Sequence, residues 1–359
     1  MADVVFILGA GASQAAGAPL MGNFLNISEG LWRSGESQKS DHYSRVFAAI
    51  GALQQVHSKA ELDITNLEPV FNTFEMARIL KKFPRLVDGQ VLSMEEAIES
   101  LKFVIAETLE LRTNFPLLSG TIRPPEPYEN FNELLNRLVD GSSPKKRVAI
   151  ITFNYDLCLD YALQFSRGYR LQAQYCLDGS APHSGIPLLK LHGSLNWGIC
   201  SKCQEVVPWN LQDYFNKLHF VLEDHGNWKL RVLSYLHLHT HCGQSVEPFP
   251  FLVPPTWNKT NYQETISKVW EVAAKELTDA EHIFVVGYSL PETDGFFRSL
   301  YALGTVGPKP LKNFWVFDPN HEVENRFLKL LGPGATARFR FFPFRFSEAI
   351  GTISSQANF

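Results

Sequence analysis

Four short segments of the chain carry glycine and polar residues of the kinds that bind nucleotides or transfer protons. Glycine lets a backbone turn sharply beside a phosphate. The side-chain amide of Asn154 both donates and accepts without adding charge, and the imidazole of His192 can titrate near neutral pH. The segments are Gly9-Ala10-Gly11-Ala12-Ser13, Thr152-Phe153-Asn154-Tyr155-Asp156, Leu191-His192-Gly193-Ser194 and Gly287-Tyr288-Ser289-Leu290.

The elements that must position these residues include four short, almost wholly apolar runs at 4–8, 148–152, 283–286 and 314–317. This pattern is typical of strands buried on both faces of a parallel sheet. Each run is followed by small or polar residues, and ligands of open α/β sheets bind beyond the carboxyl ends of the strands. We therefore expect one site at that edge of the sheet, including Asp318 and Asn320 after the last run.

The stretch between the first two runs has helical periodicity. Ser93-Met94-Glu95-Glu96 has the form of a capping box, with apolar residues at helical spacing after it. A second stripe runs from Phe131 and stops at Gly141, and a weaker one covers 46–56. Residues 25–145 are therefore predicted to be a helical insertion in an α/β core made of 1–24, 146–198 and 251–359.

Composition excludes several classes of protein. The 359 residues are 45% hydrophobic and 19% charged, which rules out a disordered polymer. The net charge of −4 argues against a protein that mainly neutralises nucleic acid. No stretch approaches the ~20 apolar residues of a membrane span, and the first residues lack the basic start of a signal peptide. Five cysteines, an odd count, do not form a disulfide framework. We expect a cytoplasmic protein that contacts neither membrane nor nucleic acid directly.

The glycine loop by itself leaves two interpretations open. It follows a predicted strand and opens a predicted helix, as a pyrophosphate-binding loop does. The usual dinucleotide fingerprint requires a third glycine where this chain has Gln14. The loop could equally be a tight turn that binds no ligand.

Together and in this order, the four segments resemble the sirtuin (silent-information-regulator) family, whose pattern is a GAG loop, a T-x-N-x-D turn, an H-G pair and a late G-x-S turn. The chain is most similar to the sirtuin-like NADases of bacterial defence. These have segments much like Lys190-Leu191-His192-Gly193-Ser194-Leu195-Asn196-Trp197 and Val253-Pro254-Pro255-Thr256-Trp257. The resemblance covers nearly the whole chain, although 25–145 carries no recognisable motif.

The resemblance implies a Rossmann-like parallel sheet of sirtuin type and cleavage of the nicotinamide–ribose bond of NAD⁺. It also implies that Asn154 orients water or ribose, that His192 acts as a base near the ribose hydroxyls and that Asp156 fixes the nicotinamide pocket. Taken singly, each could instead be structural, and Asp156 could simply cap the next helix. The cofactor-binding residues would be Gly9, Ala10, Gly11, Ser13, Thr152, Gly287, Ser289, Asp318 and Asn320.

A candidate metal site follows the histidine segment, where sirtuin-type proteins have a zinc ribbon. Cys200 and Cys203 supply one pair, and His239 and Cys242 have the same spacing. Three thiolates and one imidazole would form a closed, structural Cys₃His zinc site within a small module at 199–250. His237 and His241 compete for the histidine position, and a site without metal is the alternative.

Three classes of function are compatible with these observations. The first is an NAD⁺ glycohydrolase that depletes NAD⁺ in abortive-infection-type antiphage defence. The second is an NAD-dependent protein deacylase, and the third is a non-enzymatic dinucleotide-binding scaffold. The large insertion and Tyr155, where deacylases have an aliphatic residue, favour hydrolysis, and the presence of both Asn154 and His192 argues against a scaffold. The resemblance further suggests a homo-oligomer controlled by a HerA-type ATPase or an Argonaute protein.

Overall fold

The core of the chain is a seven-stranded sheet in which every neighbouring pair of strands is parallel. The computed structural model describes residues 1–54, 62–82, 93–165, 173–209, 215, 220–222, 226–247, 249–253, 263–291, 294–357 and 359. In their order across the sheet, the strands are β15 (Phe339–Phe342), β14 (Asn313–Phe317), β13 (His282–Val286), β1 (Val4–Leu8), β4 (Val148–Thr152), β6 (Ile186–Lys190) and β5 (Ala173–Gln174).

The strands end level with one another at the carboxyl edge. Leu8 of β1 pairs with Thr152 of β4 on one side and with Val286 of β13 on the other. Thr152 in turn pairs with Lys190, and Val286 pairs with Phe317. The loops that follow five strands therefore start from a single row of residues and converge on one region.

Helices cover both faces of the sheet, so the protein has three layers. One face packs against the helices between the first two long strands and the last helix of the chain, and the other against helices that alternate with β13 and β14. The helices are Ala10–Ser13, Phe24–Arg33, Ser40–Leu53, Leu67–Leu80, Met94–Arg112, Glu126–Asn136, Cys158–Gln164, Gln263–Thr278, Gly295–Gly304, Glu322–Leu328, Pro333–Thr336 and Phe346–Gln356.

Several two-stranded hairpins lie outside the main sheet. Their strands are β2 (Leu117–Leu118), β3 (Thr121–Ile122), β7 (Trp197–Ile199), β8 (Val206–Pro208), β9 (Phe220–Leu222), β10 (Trp228–Leu230), β11 (Thr240–His241) and β12 (Gln244–Ser245). The first hairpin falls within the stretch predicted to be helical. The tips of β7–β8 and β11–β12 carry the candidate metal ligands.

The α/β class and the four predicted strands are confirmed, and three further strands were not predicted. The buried strand β6 contains Pro187. A proline within an apolar run weakens a strand assignment from sequence. The two outermost strands are short and partly exposed, so they lack the continuous apolar pattern that identified the central ones. Ser93 also caps its helix as predicted, accepting a hydrogen bond from the backbone amide of Glu96 at 3.3 Å.

Candidate functional site at the carboxyl edge of the sheet

A cavity of about 350 Å³ opens at the carboxyl edge, where the loops after the strands meet. It brings together most of the residues singled out in the sequence, and residues of the helical insertion such as Asn66, Glu68 and Leu109 complete its wall. The predicted residues that line it are Ala10, Gly11, Ser13, Asn154, Asp156, His192, Gly287, Ser289, Asp318 and Asn320. Gly9 and Thr152 lie directly behind this wall, because both are hydrogen-bonded to Asn154.

The glycine loop packs so closely against the loop after β13 that only glycine fits. A Cβ added to Gly11 would lie 2.7 Å from the Cα of Gly287, and one added to Gly9 would lie 2.5 Å from the Gly287 carbonyl oxygen. The amide of Gly11 donates to that same carbonyl at 2.9 Å. These glycines are therefore required by the contact between two loops. The helix they open is one turn, Ala10–Ser13, rather than a long dipole-bearing helix.

The side-chain amide of Asn154 has a fixed orientation. Its Nδ2 donates to the carbonyl oxygen of Gly9 at 2.9 Å and to Oγ of Ser13 at 3.0 Å. Because a carbonyl oxygen can only accept, the nitrogen must be the atom on this side. Within the described residues no hydrogen bond is made to Oδ1. An acceptor atom beside the cavity is thus held ready for a hydroxyl group or a water molecule.

The carboxylate of Asp156 contacts both the start of a helix and the glycine loop. One carboxylate oxygen accepts from the backbone amide of Cys158, the first residue of the helix Cys158–Gln164, at 3.0 Å. The other accepts from Oγ of Ser13 at 2.7 Å. Asp156 is 5% exposed, so a carboxylate lies in the wall of the cavity with little solvent around it. A negative charge in this position suits a reaction that develops positive charge in the cavity.

His192 lies in the same wall, packed among aromatic rings. The centroid of its imidazole is 5.1 Å from that of Phe153 and 6.3 Å from that of Tyr155. Its carbonyl oxygen accepts from the amide of Val253 at 2.8 Å, and the hydroxyl of Tyr155 donates to the carbonyl of Val253 at 2.8 Å. The related segment at 254–257 lies outside the described residues.

A buried ion pair supports this end of the site and was not predicted from the sequence. Lys190 is fully buried, and its Nζ lies 3.0 Å from Oδ2 of Asp160 and donates to the Asp156 carbonyl at 2.7 Å. Asp160 also accepts from the hydroxyl of Tyr175, which accepts from the side-chain amide of Asn196. The lysine at the end of β6 thereby fixes the turn after β4. The signal in the sequence that could have indicated this buried cation is a lysine at the end of an otherwise apolar run.

The opposite end of the cavity holds two arginines that the sequence analysis also missed. Arg326 donates to the Ser289 carbonyl at 3.2 Å, and Arg345 contacts Oε1 of Gln14 at 3.5 Å. Cations here could pair with the phosphates of a dinucleotide. Asp318 accepts from the amide of Asn320 at 2.8 Å, and burial raises the pKa of its carboxyl.

Three cysteines and a histidine form a compact group in the small module. Sγ of Cys200, Cys203 and Cys242 and a ring nitrogen of His241 lie within 4.8 Å of one another. Ligands at about 2.3 Å from a tetrahedral zinc would be about 3.8 Å apart, so the group fits such an ion. A hydrogen bond from the Cys203 amide is the main reason that the pKa of the Cys200 thiol is lowered to about 6. A lowered pKa favours the thiolate, the form of cysteine that binds metal.

The structure places His241, rather than the predicted His239, with the three cysteines. Cys242 and Gly243 form the two-residue turn between β11 and β12, both with positive φ (54° and 74°). This turn presents the adjacent His241 and Cys242 together at the tip. His239 precedes β11, and its ring packs edge-on against that of Trp209 with centroids 4.0 Å apart. The prediction of a Cys-x-x-Cys-like spacing for the second pair is corrected to adjacent ligands.

No helix in the described part of the chain is long and apolar enough to span a membrane.

No protein-family model and no curated protein matches the chain. Solved structures similar to it include a Sir2 homologue in complex with NAD, at 15% identity and a TM-score of 0.41, covering 97% of this chain and 86% of the other. Another is Sir2 with a p53 peptide and NAD⁺, at 14% identity and a TM-score of 0.40, covering 98% and 92%. A Sir2 homologue mutant with ADP-ribose has 14% identity and a TM-score of 0.40, covering 99% and 94%. Because these TM-scores are low, the fold class is assigned from the strand order of this chain itself. The chain is an α/β protein with a parallel sheet and a small Cys/His module.

Proposed function

We propose that the chain cleaves the nicotinamide–ribose bond of NAD⁺ and that water is the acceptor of the ribosyl group. The observation that carries this proposal is the fixed amide of Asn154. Both contacts of its nitrogen point into the glycine loop, so its oxygen is left to accept a hydrogen bond at the cavity. An acceptor that adds no charge can hold a water molecule against an electron-poor carbon.

The remaining wall residues match the demands of this reaction. Nicotinamide leaves as a neutral group, so stabilisation of the cation-like ribosyl centre is the main requirement. The buried carboxylate of Asp156 supplies negative charge, and the imidazole of His192 can take a proton from a ribose hydroxyl or from water. Arg326 and Arg345 would pair with the phosphates at the other end of the cavity.

Contacts beside His192 favour water, rather than an acyl-lysine peptide, as the acceptor of the ribosyl group. A deacylase binds its peptide as an extended strand that pairs with open backbone groups. In this chain the backbone beside His192 is already paired with the segment 251–253. The amide of Val253 donates to the His192 carbonyl, and the amide of Ser194 donates to the Phe251 carbonyl at 3.2 Å. The hydroxyl of Tyr155 donates to the Val253 carbonyl at 2.8 Å, and the residue is 4% exposed.

Release of nicotinamide with and without an acetyl-lysine peptide tests the choice between these activities. Purified protein is incubated with NAD⁺, and free nicotinamide is followed by chromatography. We expect release that does not depend on the peptide. Release that occurs only with peptide would identify a deacylase, and binding of NAD⁺ without release would identify a scaffold.

The Cys/His module would hold one structural zinc ion, coordinated by Cys200, Cys203, His241 and Cys242. With four protein ligands no position is open for a substrate, so the ion would stabilise the two hairpin tips rather than take part in the reaction.

We further propose that the activity serves antiphage defence by depleting NAD⁺, within a homo-oligomer whose partner is a HerA-type ATPase or an Argonaute protein. The support is the sequence resemblance, together with the need to keep such an activity silent until it is required. Light scattering and the NAD⁺ turnover with and without the partner test this. A monomer with full activity that no partner changes would contradict it.

A further inference from the structure

One residue of the helical insertion reaches the centre of the site from behind the cavity wall. Tyr128 lies on the helix Glu126–Asn136 and is 1% exposed. Its hydroxyl oxygen is 2.7 Å from Oγ of Ser13, which also contacts Asp156 and Asn154. Three polar side chains from two separate segments thus meet at the hydroxyl of Ser13.

The direction of each hydrogen bond at Ser13 follows from counting protons. Nδ2 of Asn154 can only donate, and an ionised Asp156 carboxylate can only accept. The single proton of Ser13 therefore points to Asp156 at 2.7 Å, and both of its lone pairs accept. One lone pair accepts from Asn154, so the other must accept from the hydroxyl of Tyr128. The result is one directed chain from Tyr128 through Ser13 to Asp156.

We infer that Tyr128 is a positioning residue for the proposed hydrolysis. Its hydroxyl donates to Ser13 and so keeps Ser13 fixed between Asn154 and Asp156. This inference rests on the proposed function. Without the tyrosine hydroxyl, Oγ of Ser13 has a free lone pair and can rotate away, which loosens the contact that holds the Asn154 amide in its orientation.

Packing of the Tyr128 ring does not explain why this position has a tyrosine rather than a phenylalanine. The ring packs edge-on against Phe346 with centroids 5.3 Å apart, a contact that phenylalanine would make equally well. The hydroxyl lies at a buried polar junction, where an unpaired donor or acceptor costs free energy. Phe346 belongs to the last helix, so the insertion and the end of the chain both pack around the residue that orients Ser13.

Tyr128→Phe separates positioning from packing, because it removes one oxygen and keeps the ring. We expect the kcat for nicotinamide release to fall by roughly tenfold to a hundredfold, with little change in KM. Tyr161→Phe is the matched control, since its buried hydroxyl donates to the Ile122 carbonyl at 2.7 Å, away from the cavity. It should lose similar thermal stability and keep its kcat.

A double-mutant cycle with Ser13→Ala identifies the route of the effect. If Tyr128 acts through Ser13, adding Tyr128→Phe to Ser13→Ala lowers kcat no further, whereas independent effects would multiply. Normal kcat in Tyr128→Phe, or multiplying effects, would overturn the inference. A wild-type chain that releases no nicotinamide would contradict the proposed function instead. Positioning is then judged from the side-chain amide resonances of Asn154, which Tyr128→Phe should shift and Tyr161→Phe should not.

Discussion

The strand-edge site and the Cys/His module bring their side chains together in different ways. In the strand-edge site, Asn154 meets Gly9 across 145 residues of sequence and Asp156 meets Ser13 across 143, because β1 and β4 end side by side. In the module, the ligands come from two hairpin tips, and the conformation of a two-residue turn decides which histidine faces the cysteines. Sheet topology fixes the first arrangement, and local turn geometry fixes the second.

The largest effect is expected from removing the groups placed at the reacting atoms. Asn154→Ala and His192→Ala should each lower nicotinamide release by about 10²–10⁴-fold, the usual contribution of a positioned acid, base or orienting group. Initial rates measured by chromatography test this. Asn325→Ala and His183→Ala change the same residue types at exposed positions outside the cavity and should leave the rate unchanged. Near-normal rates in either site variant would show that its residue has no role in the reaction.

A second prediction concerns the framework behind the strand-edge site. Lys190→Met leaves the carboxylate of Asp160 buried without its cation, so the free energy of unfolding should fall by about 3–5 kcal/mol. Lys145→Met breaks an ion pair with Asp140 in which the lysine side chain is 70% exposed, and should cost less than about 1 kcal/mol. Urea denaturation gives both values. Equal costs would mean that the buried pair does not hold β6 to the turn after β4.

The module gives a prediction that separates two histidines. Protein purified without added metal should contain about one zinc per chain by elemental analysis. Replacing a residue that only supports the ligands typically lowers metal affinity by roughly 10–100-fold. We expect His241→Ala to lower zinc affinity by more than this, and His239→Ala to lower it by no more than this. Zinc-free folded protein would contradict the site, and a greater loss in His239→Ala would restore the ligand set expected from the sequence.

A fourth prediction is a pH dependence of stability where the insertion contacts the module. Glu110 accepts hydrogen bonds from the amides of Val232 and Leu233, and burial raises its pKa from 4.5 to about 8. Because the folded state holds this proton more tightly than the unfolded chain, stability should fall as the pH rises from about 4.5 to 8.

Glu110→Gln keeps the acceptor oxygen and removes the titration, so the melting temperature of this variant should depend less on pH over that range. Burial lowers the pKa of His282 to about 4, which adds stability as the pH rises towards 6.5. That contribution is the same in both proteins and cancels in their difference. If the melting temperatures of the wild type and of Glu110→Gln changed equally with pH over this range, the assignment to Glu110 would be wrong.

The sequence was sufficient for the parts of the site that depend on the order of strands and motifs. Four apolar runs predicted four strands of the sheet and the edge where the cavity lies. The residues directly after these runs are Gly9, Phe153, Gly287 and Asp318. Contacts that depend on packing could not be predicted. Tyr128 reaches Ser13 across 115 residues, and no local pattern distinguishes its role from that of Phe131, the other aromatic residue of its helix.

The histidine in the module illustrates the same limit at short range. His239 and His241 are two residues apart in the sequence, and only His241 belongs to the strand β11. Only the positive φ of Cys242 and Gly243 shows that the chain turns immediately after His241. The sequence shows the glycine of that turn, but the spacing expected from the resemblance predicts His239 as the ligand.

The most direct test of the account is the mass balance of the reaction in the absence of any peptide. Wild-type protein is incubated with NAD⁺, and the NAD⁺ consumed, the nicotinamide released and the ADP-ribose formed are measured in the same chromatogram. Hydrolysis by a water molecule held at Asn154 predicts that the three amounts are equal. Nicotinamide without a matching amount of free ADP-ribose, or no consumption of NAD⁺, would contradict it.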